Sequence, residues 1–554
     1  MPEALFSKHQ ATLEAAVKAI DERGYWSPFV EMPSAKAYGA TANDDGKAAF
    51  EALRQHPFAL DQPGDGKTVG AEVSPFGPKL GIGYPHADGE ALVAAAQKAL
   101  DSWRHQGPQA WVGVAVESLF RLNQRSFEMA YAIMHTTGQA FMMAFQAGGP
   151  HAQDRGLEAV AYAWQQMSRV PAAAVWEKPQ GKNPPLKMEK RFRIIPRGVA
   201  LVIGCSTFPN WNGYPGLFAS LATGNAVIVK PHPAVTLPLA ITVKIIREVL
   251  AEQGFDPNLV TLAAHAEGDD MPQRLALNPA VKVIDFTGSP KNGEWLEQNA
   301  RQAQVYTEKA GVNPIVIDST NDFRGLANNI AFSLALYSGQ MCTAPQNIFI
   351  PSSGIQTPEG TMSFDAVSEG IAQSLRKLLG DPARAVEILG AIQSPAILAR
   401  LEIAAKAGGV LLASETITHP QFPEARVRTP LLLRANASDE SAFMHEIFGP
   451  VAFAIATAST QESLALAGRG ARERGALTFS VYSIDPTVLV QARDIAAEAG
   501  VSLSENLTST VYVNQSAAYS DFHGTGANPS ANASLTDPAF VAGRYRVTQS
   551  RAHI

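Results

Sequence analysis

Apolar and polar positions divide the chain into a helical first third followed by alternating strands and helices. Before residue 100, apolar residues recur at helical spacing between Gly/Pro-rich connections, and LDQPGDGKTVGAEVSPFG reads as a loop. From Gly89 to Gly148 the helical spacing continues through LVAAAQKAL and VAVESLFRLN. The Pro-rich stretch PQGKNPPLKMEK breaks it, and RFRIIPRGV follows as a candidate exposed strand. The β-branched run GVALVIGC predicts a buried strand, GYPGLFASLA a helix and NAVIVKP a second strand. A helix ended by Gly254, the strand NLVTLAA, the short helix DMPQRLAL and the strand AVKVIDFTGS complete the series. Strands alternating with helices imply βαβ units around a parallel sheet covered on both faces. After Glu308 the alternation resumes with NPIVIDS, a helix, QNIFIP, GPVAFAIA, ALTFSVYS and STVYVNQ as strand candidates, which predicts a second α/β domain. The C-terminal FVAGRYRVTQS reads as a lone strand without an adjacent partner, of the kind that often pairs with another subunit.

Length changes the picture first, because 554 residues are too many for one compact core and imply two or three domains. A net charge of −6 without blocks of like charge does not suggest nucleic acid or an anionic membrane as partner. The N-terminus is an amphipathic helix pattern rather than a secretory signal, and no apolar run approaches the ~18 residues needed to span a bilayer. Two cysteines, Cys205 and Cys342, cannot build a disulfide framework, and a reduced, cytoplasmic protein is expected.

The chemistry concentrates in SGQMCTAPQ, where Cys342 follows a helix, precedes a strand and has small neighbours. A thiolate is both nucleophile and leaving group, suited to attack on a carbonyl carbon. In VYTEKAGVNP, Glu308 sits where a strand enters a Gly turn. Desolvation there predicts a raised pKa, suiting a base near neutral pH. No metal site is expected.

Together these residues resemble the aldehyde dehydrogenase superfamily. A Glu-containing Gly turn lies 34 residues before a Gly-Gln-x-Cys nucleophile, the family's usual interval. Three more segments follow family patterns: FPNWNGYPGLFASLATGNAVIVKP, IDFTGSPKNG and HEIFGPV. The resemblance implies an α/β fold with a Rossmann-like parallel-sheet cofactor domain, an α/β catalytic domain and a small β oligomerisation element. The boundaries expected are 1–178 for the N-terminal extension and start of the cofactor domain, 179–196 for an oligomerisation strand segment and 197–309 for the cofactor-binding domain. The catalytic domain is expected over 310–515, and a return segment with a C-terminal oligomerisation strand over 516–554. It implies Cys342 as nucleophile and Glu308 as general base. Lys230 and His232 would lie at the adenosine ribose, Gly288, Ser289 and Gly293 at the turn facing the pyrophosphate, and Glu446 and Phe448 at the nicotinamide ribose. NAD or NADP is the cofactor implied, a small-molecule aldehyde the substrate, and a homodimer or homotetramer the assembly.

Four departures stand out. The family's oxyanion-hole Asn is replaced by Thr207, with Asn210 and Asn212 as nearby amides that could substitute. Pro233 stands where NAD-selective members often carry Glu, which removes a repulsion against a 2′-phosphate and opens the site to NADP. TLAAHAEGDD lacks glycines usual after that strand, and Lys309 follows the base and is expected to face away from it. The N-terminal extension, STFPNWNGYPG and FHGTGANPSANAS resemble the PaaN-type branch of phenylacetate degradation, implying a CoA-linked semialdehyde as substrate. Two alternatives are a CoA-acylating dehydrogenase, against which Glu308 argues, and a non-catalytic homologue serving as a binding or assembly partner.

Overall fold

The computed structural model describes residues 2–406 and 408–554. A five-stranded, all-parallel sheet is built from Val199–Ile203, Ala226–Lys230, Val260–Leu262, Val281–Gly288 and Gln304–Lys309. Val199–Ile203 lies at its centre; the next two strands extend one side and the last two the other. The direction of growth therefore reverses beside Val199–Ile203, and open α/β sheets bind ligands in the crevice at the carboxyl ends of the strands at such a reversal. The strand residues are almost wholly buried, as β-branched runs packed under helices require, and Gly89–Trp103, Pro209–Ala222 and Leu237–Glu252 pack against the sheet.

A second, seven-stranded sheet runs in the order Val410–Leu412, Leu431–Asn436, Val451–Thr457, Asn347–Pro351, Pro314–Ile317, Thr478–Tyr482, Ser502–Glu505. Every pairing is parallel except that of the edge strand Val410–Leu412. This is the doubly layered α/β arrangement expected from the alternation, with one change of element. STVYVNQ forms turns, and the sheet edge is the preceding Ser502–Glu505. The backbone leaves the sheet at Asn506, in the left-handed region at φ 51°. Its carbonyls are then taken by side chains near the nucleophile: Val511 accepts from Asn329 and Asn514 from Thr343. The β-branched composition was a strand signal, but the hydrogen bonds go elsewhere.

The lone C-terminal strand has a partner within its own chain. Tyr545–His553 pairs antiparallel with Asn183–Pro196 from Tyr545↔Pro196 to His553↔Met188, and Ala173–Gln180 completes a three-stranded sheet. The Pro-rich PQGKNPPLKMEK stretch thus lies mostly in strands that turn at Gly181, whose φ is +61°. Its prolines sit where edge or exposed backbone tolerates the missing N–H. No helix among the described residues is long and apolar enough to cross a membrane.

Arg544 anchors the returning C-terminus to the first sheet. Fully buried, it grips Asp285 through both terminal nitrogens (2.7 and 2.5 Å), donates to Ser220 Oγ and the Phe540 carbonyl, and stacks against Tyr306 and Phe540. Removing one partner of such a pair strands a buried charge. Arg544→Ala is expected to lower unfolding stability by about 3–5 kcal/mol, read as a fall in the midpoint of equilibrium denaturation; an unchanged midpoint would contradict the anchoring role.

Candidate active site

Glu308 ends an edge strand of the first sheet, registered against Thr287 beside Val281–Gly288. Alternation along that strand separates its neighbours from it: Thr307 Oγ1 and Lys309 Nζ both bond Glu297, so Lys309 lies on the face away from Glu308. Glu308 is 2% exposed, and its Oε1 collects three contacts. The Cys342 thiol lies at 3.5 Å, the Asn212 amide nitrogen at 2.9 Å and His523 Nε2 at 3.2 Å. Its Oε2 has no hydrogen-bond partner among the described residues. A carboxylate only accepts, so His523 carries its proton on Nε2.

Cys342 is delivered from the second sheet by a strained turn. Tyr337, Ser338 and Gly339 are consecutively left-handed, with φ of 51°, 50° and 63°. Non-glycine residues hold that geometry only where their surroundings enforce it. Ser338 Oγ bonds the carbonyls of Leu389 and Arg428, and Tyr337 Oη the carbonyl of Thr137. Gln340 bonds the carbonyls of Tyr337 and Ala391 and accepts from Gln393 N–H. Gly339 is required for space as well: a Cβ there would come within 2.6 Å of the Gly449 carbonyl oxygen. The Ser-Gly-Gln before the nucleophile is therefore a clamp. Asn313 completes it, donating to the carbonyls of Cys342 and Ala344 (2.7 and 2.9 Å) and accepting from Leu477 and Thr478 N–H.

The sequence candidates separate in space. Asn212 reaches Glu308, and its Oδ1 faces the Cys205 sulfur at 3.7 Å. Asn210 does not reach Glu308: wholly buried, it donates to the Gly148 carbonyl. Two residues along a helix point about 200° apart, so only one of the pair can face the crevice. Thr207 is buried, with its hydroxyl turned to Cys205 and its carbonyl taken by Gln139. His523 and Asn313 were not among the candidates. His523 lies 215 residues beyond Glu308 in the FHGTGANPSANAS segment, and Asn313 in VYTEKAGVNP, but neither segment assigned these residues a role.

The cofactor candidates line the carboxyl ends of the first sheet and the loop facing them. Lys230 ends the strand Ala226–Lys230, and burial alone pulls its ammonium down to about 8. His232 is exposed, its Nδ1 fixed by Ala234 N–H. Ser289 caps the helix Pro290–Asn299, accepting from Asn292 N–H. Gly288 and Gly293 have no room for a Cβ, which would come 2.8 Å from Phe286 and 2.7 Å from Lys309. Glu446 and Phe448 belong to a loop that Gln346, four residues past the nucleophile, ties down through the carbonyls of Phe443 and His445 and the N–H of Ile447. Burial raises Glu446 to about 7, with Arg400 opposing. A buried ammonium and a buried carboxyl, neither compensated by an ion pair, fit the hydroxyls of a bound dinucleotide, and the capped helix end suits a phosphate.

Electrostatics reverse one expectation. Burial does push the Glu308 carboxyl up, but His523 above all, with the thiol and Arg155, outweighs it and holds it below the ordinary carboxylate range. Burial and the Glu308 charge together push the Cys342 thiol well above its ordinary value. Glu308 is therefore ionised at neutral pH and the thiol protonated. Two outcomes follow for the ligand-free protein. Alkylation of Cys342 by iodoacetamide should climb roughly tenfold per pH unit between about pH 7 and 9, because only the thiolate reacts. Glu308→Gln removes the neighbouring negative charge, lowers the thiol pKa and should raise the alkylation rate at pH 7.5 several-fold; a slower or unchanged rate contradicts the coupling.

Comparison with known proteins places this geometry. The family model described as "Aldehyde dehydrogenase family" matches residues 83–519. A crystal structure of NAD-dependent aldehyde dehydrogenase from Burkholderia multivorans is 63% identical, with a TM-score of 0.99 over 100% of this chain and 99% of that one. A 1-pyrroline-5-carboxylate dehydrogenase from Thermus thermophilus shares the fold at 20% identity, TM-score 0.76, over 96% of this chain and 99% of that one. Among curated proteins, aldehyde dehydrogenase family 7 member A1 of Brassica napus is 25% identical over 283 residues, 49% of this chain and 53% of that one. The chain spans about half to two thirds of the length of the first curated relatives it matches. With the family model covering most of its length, the chain belongs to the aldehyde dehydrogenase family.

Proposed function

We propose that this protein oxidises an aldehyde to a carboxylic acid, with NAD or NADP as oxidant, through a thioester on Cys342. The observation that carries the reading is the Cys342 sulfur 3.5 Å from the ionised Glu308, presented by a rigid turn at the mouth of the crevice. The carboxylate is placed to take the thiol proton as sulfur attacks the aldehyde carbon. Oxygen then becomes an alkoxide. The Asn212 amide, now bonded to the same Glu308 oxygen that the thiol faces, turns to that alkoxide as Glu308 is protonated. The bound nicotinamide supplies the two-electron acceptor, which leaves the carbon as a thioester. Glu308, having released its proton, takes one from water, whose oxygen attacks the thioester carbon. The carboxylic acid leaves and the thiol is restored.

We take the substrate to be a CoA-linked semialdehyde, the class implied by the resemblance to the PaaN-type branch, and the enzyme to work as a homo-oligomer. Transfer of the acyl group to CoA is the less favoured outcome, because Glu308 stands beside the sulfur as a base for water. A cofactor-reduction screen across aldehydes, including CoA-linked semialdehydes, with NAD and NADP in parallel and product analysis with and without free CoA tests both points. A free acid regardless of CoA is expected; a product that becomes acyl-CoA when CoA is added contradicts the hydrolytic reading.

Glu308→Gln should give a single-turnover burst of reduced cofactor followed by slow deacylation; steady-state rates equal to wild type would contradict the role of Glu308. Asn212→Ala should lower kcat by about 10²–10³, the usual cost of losing one oxyanion donor, whereas Asn210→Ala should change stability more than rate. Thr207→Ala lowering the rate while Asn212→Ala leaves it untouched would assign the donor to Thr207 instead.

A further inference from the structure

Three atoms of different ligand chemistry meet at the nucleophile: Cys342 Sγ, a Glu308 carboxylate oxygen and a His523 ring nitrogen, all within 4.8 Å of one another. Two of the contacts are 3.5 Å (sulfur to oxygen) and 3.2 Å (nitrogen to oxygen). A tetrahedral Zn2+ with bonds of about 2.0–2.3 Å sets its ligand atoms about 3.3–3.6 Å apart. Two of the three separations are already close to that spacing, the third lies within 4.8 Å, and each of the two close contacts is bridged by one proton that a cation can replace. We propose that Cys342, Glu308 and His523 form a site for Zn2+, or a cation of the same borderline class, and that occupancy reversibly switches the enzyme off.

The donor set is that of open zinc sites: three protein ligands of mixed S, N and O character with a fourth position left for water. His523 and Glu308 are 4% and 2% exposed, so the ligands are pre-ordered; Cys342 is only partly buried, which gives the cation a route in. Glu308 can meet the metal through Oε1, the oxygen already facing the sulfur and the imidazole, while the Asn212 amide passes to Oε2, which has no partner among the described residues. On binding, the thiol proton passes to solvent and a Zn–S bond takes its place, and the His523 proton shifts from Nε2 to Nδ1 so that the Nε2 lone pair can bind the cation. One ion then occupies both the nucleophile and the neighbouring carboxylate. His523 lies outside the Glu308 and Cys342 motifs, so this site goes beyond the dehydrogenase reading; metal binding does not depend on that reading, and only the switching-off of turnover rests on it.

The test uses the full chain without substrate or cofactor. Zn2+ titrated in competition with a chromogenic chelator should bind one ion per chain, and Co2+ in its place should give a near-ultraviolet sulfur-to-cobalt band. Cys342→Ser should abolish that band, and His523→Gln should weaken Zn2+ by at least the about 10–100-fold that loss of a mere supporting residue costs. Cys205→Ala, at the sulfur that faces Asn212 instead, should leave both unchanged. In the unmodified protein, Zn2+ should protect Cys342 from iodoacetamide and chelator should restore the reaction, which serves if a variant fails to fold. A Co2+ complex without the sulfur band, binding as tight in His523→Gln as in wild type, loss of the site in Cys205→Ala, or alkylation of Cys342 indifferent to Zn2+ would each overturn the proposal. None of these readouts involves turnover, so their failure is distinct from failure of the dehydrogenase reading.

Discussion

One carboxylate oxygen has to be satisfied inside the protein, and three distant parts of the chain supply what satisfies it. Glu308 Oε1 receives an amide from the helix Pro209–Ala222, a thiol from the turn ahead of Asn347–Pro351 and an imidazole from the return segment after the second sheet. A buried charge without such partners costs several kcal/mol and neutralises instead. As a buried carboxylate, Glu308 therefore stays ionised only when both sheets and the return segment supply these partners. Folding and assembly of the catalytic constellation are thus one event.

The nucleophile side obeys the same logic through backbone rather than charge. Three successive left-handed residues bend the chain so that Cys342 faces the edge of the other sheet. The cost of that bend, about 1–3 kcal/mol for each non-glycine residue, is offset by side chains bonding carbonyls that regular structure would otherwise have used. Gln346 extends the same device outward and couples the nucleophile segment to the loop of Glu446 and Phe448. A displacement of that loop would be felt at the sulfur through one amide side chain.

Periodicity carried the elements whose backbone hydrogen bonds stay within a sheet or helix, and it failed where they do not. The strands of the first sheet are apolar runs because both faces are buried, so they announce themselves. STVYVNQ has the same composition, but its carbonyls accept from Asn329 and Thr343, a long-range choice no local window contains. Tyr545–His553 looked unpartnered because its neighbour lies some 350 residues earlier in an exposed sheet without an apolar signature. At the site, Cys342 and Glu308 were legible from motif and spacing, whereas choosing Asn212 over Asn210 required knowing the helix phase. His523 sits in the FHGTGANPSANAS segment, but nothing there marked it as a partner of Glu308, since one histidine in a Gly- and Ser-rich segment is a contact only after folding. The proton affinity of Glu308 was misread for that reason: burial alone was visible, and the imidazole that outweighs it was not.

That correction changes how the chemistry is powered. Sulfur and carboxylate share a neighbourhood too confined for two negative charges, so at rest one charge is held and it sits on oxygen. Producing thiolate by loss of a proton to solvent would add a second charge and is opposed by burial and repulsion alike. In the reaction proposed, passing the proton across to Glu308 adds none, and the negative charge would move from oxygen to sulfur and on to the aldehyde oxygen as the bond forms. His523 and Asn212 gain least from a protonated Glu308, so they favour return of that proton once the carbon has been oxidised. The groups that make Glu308 a reluctant acceptor during attack are those that restore it as a carboxylate before water is needed.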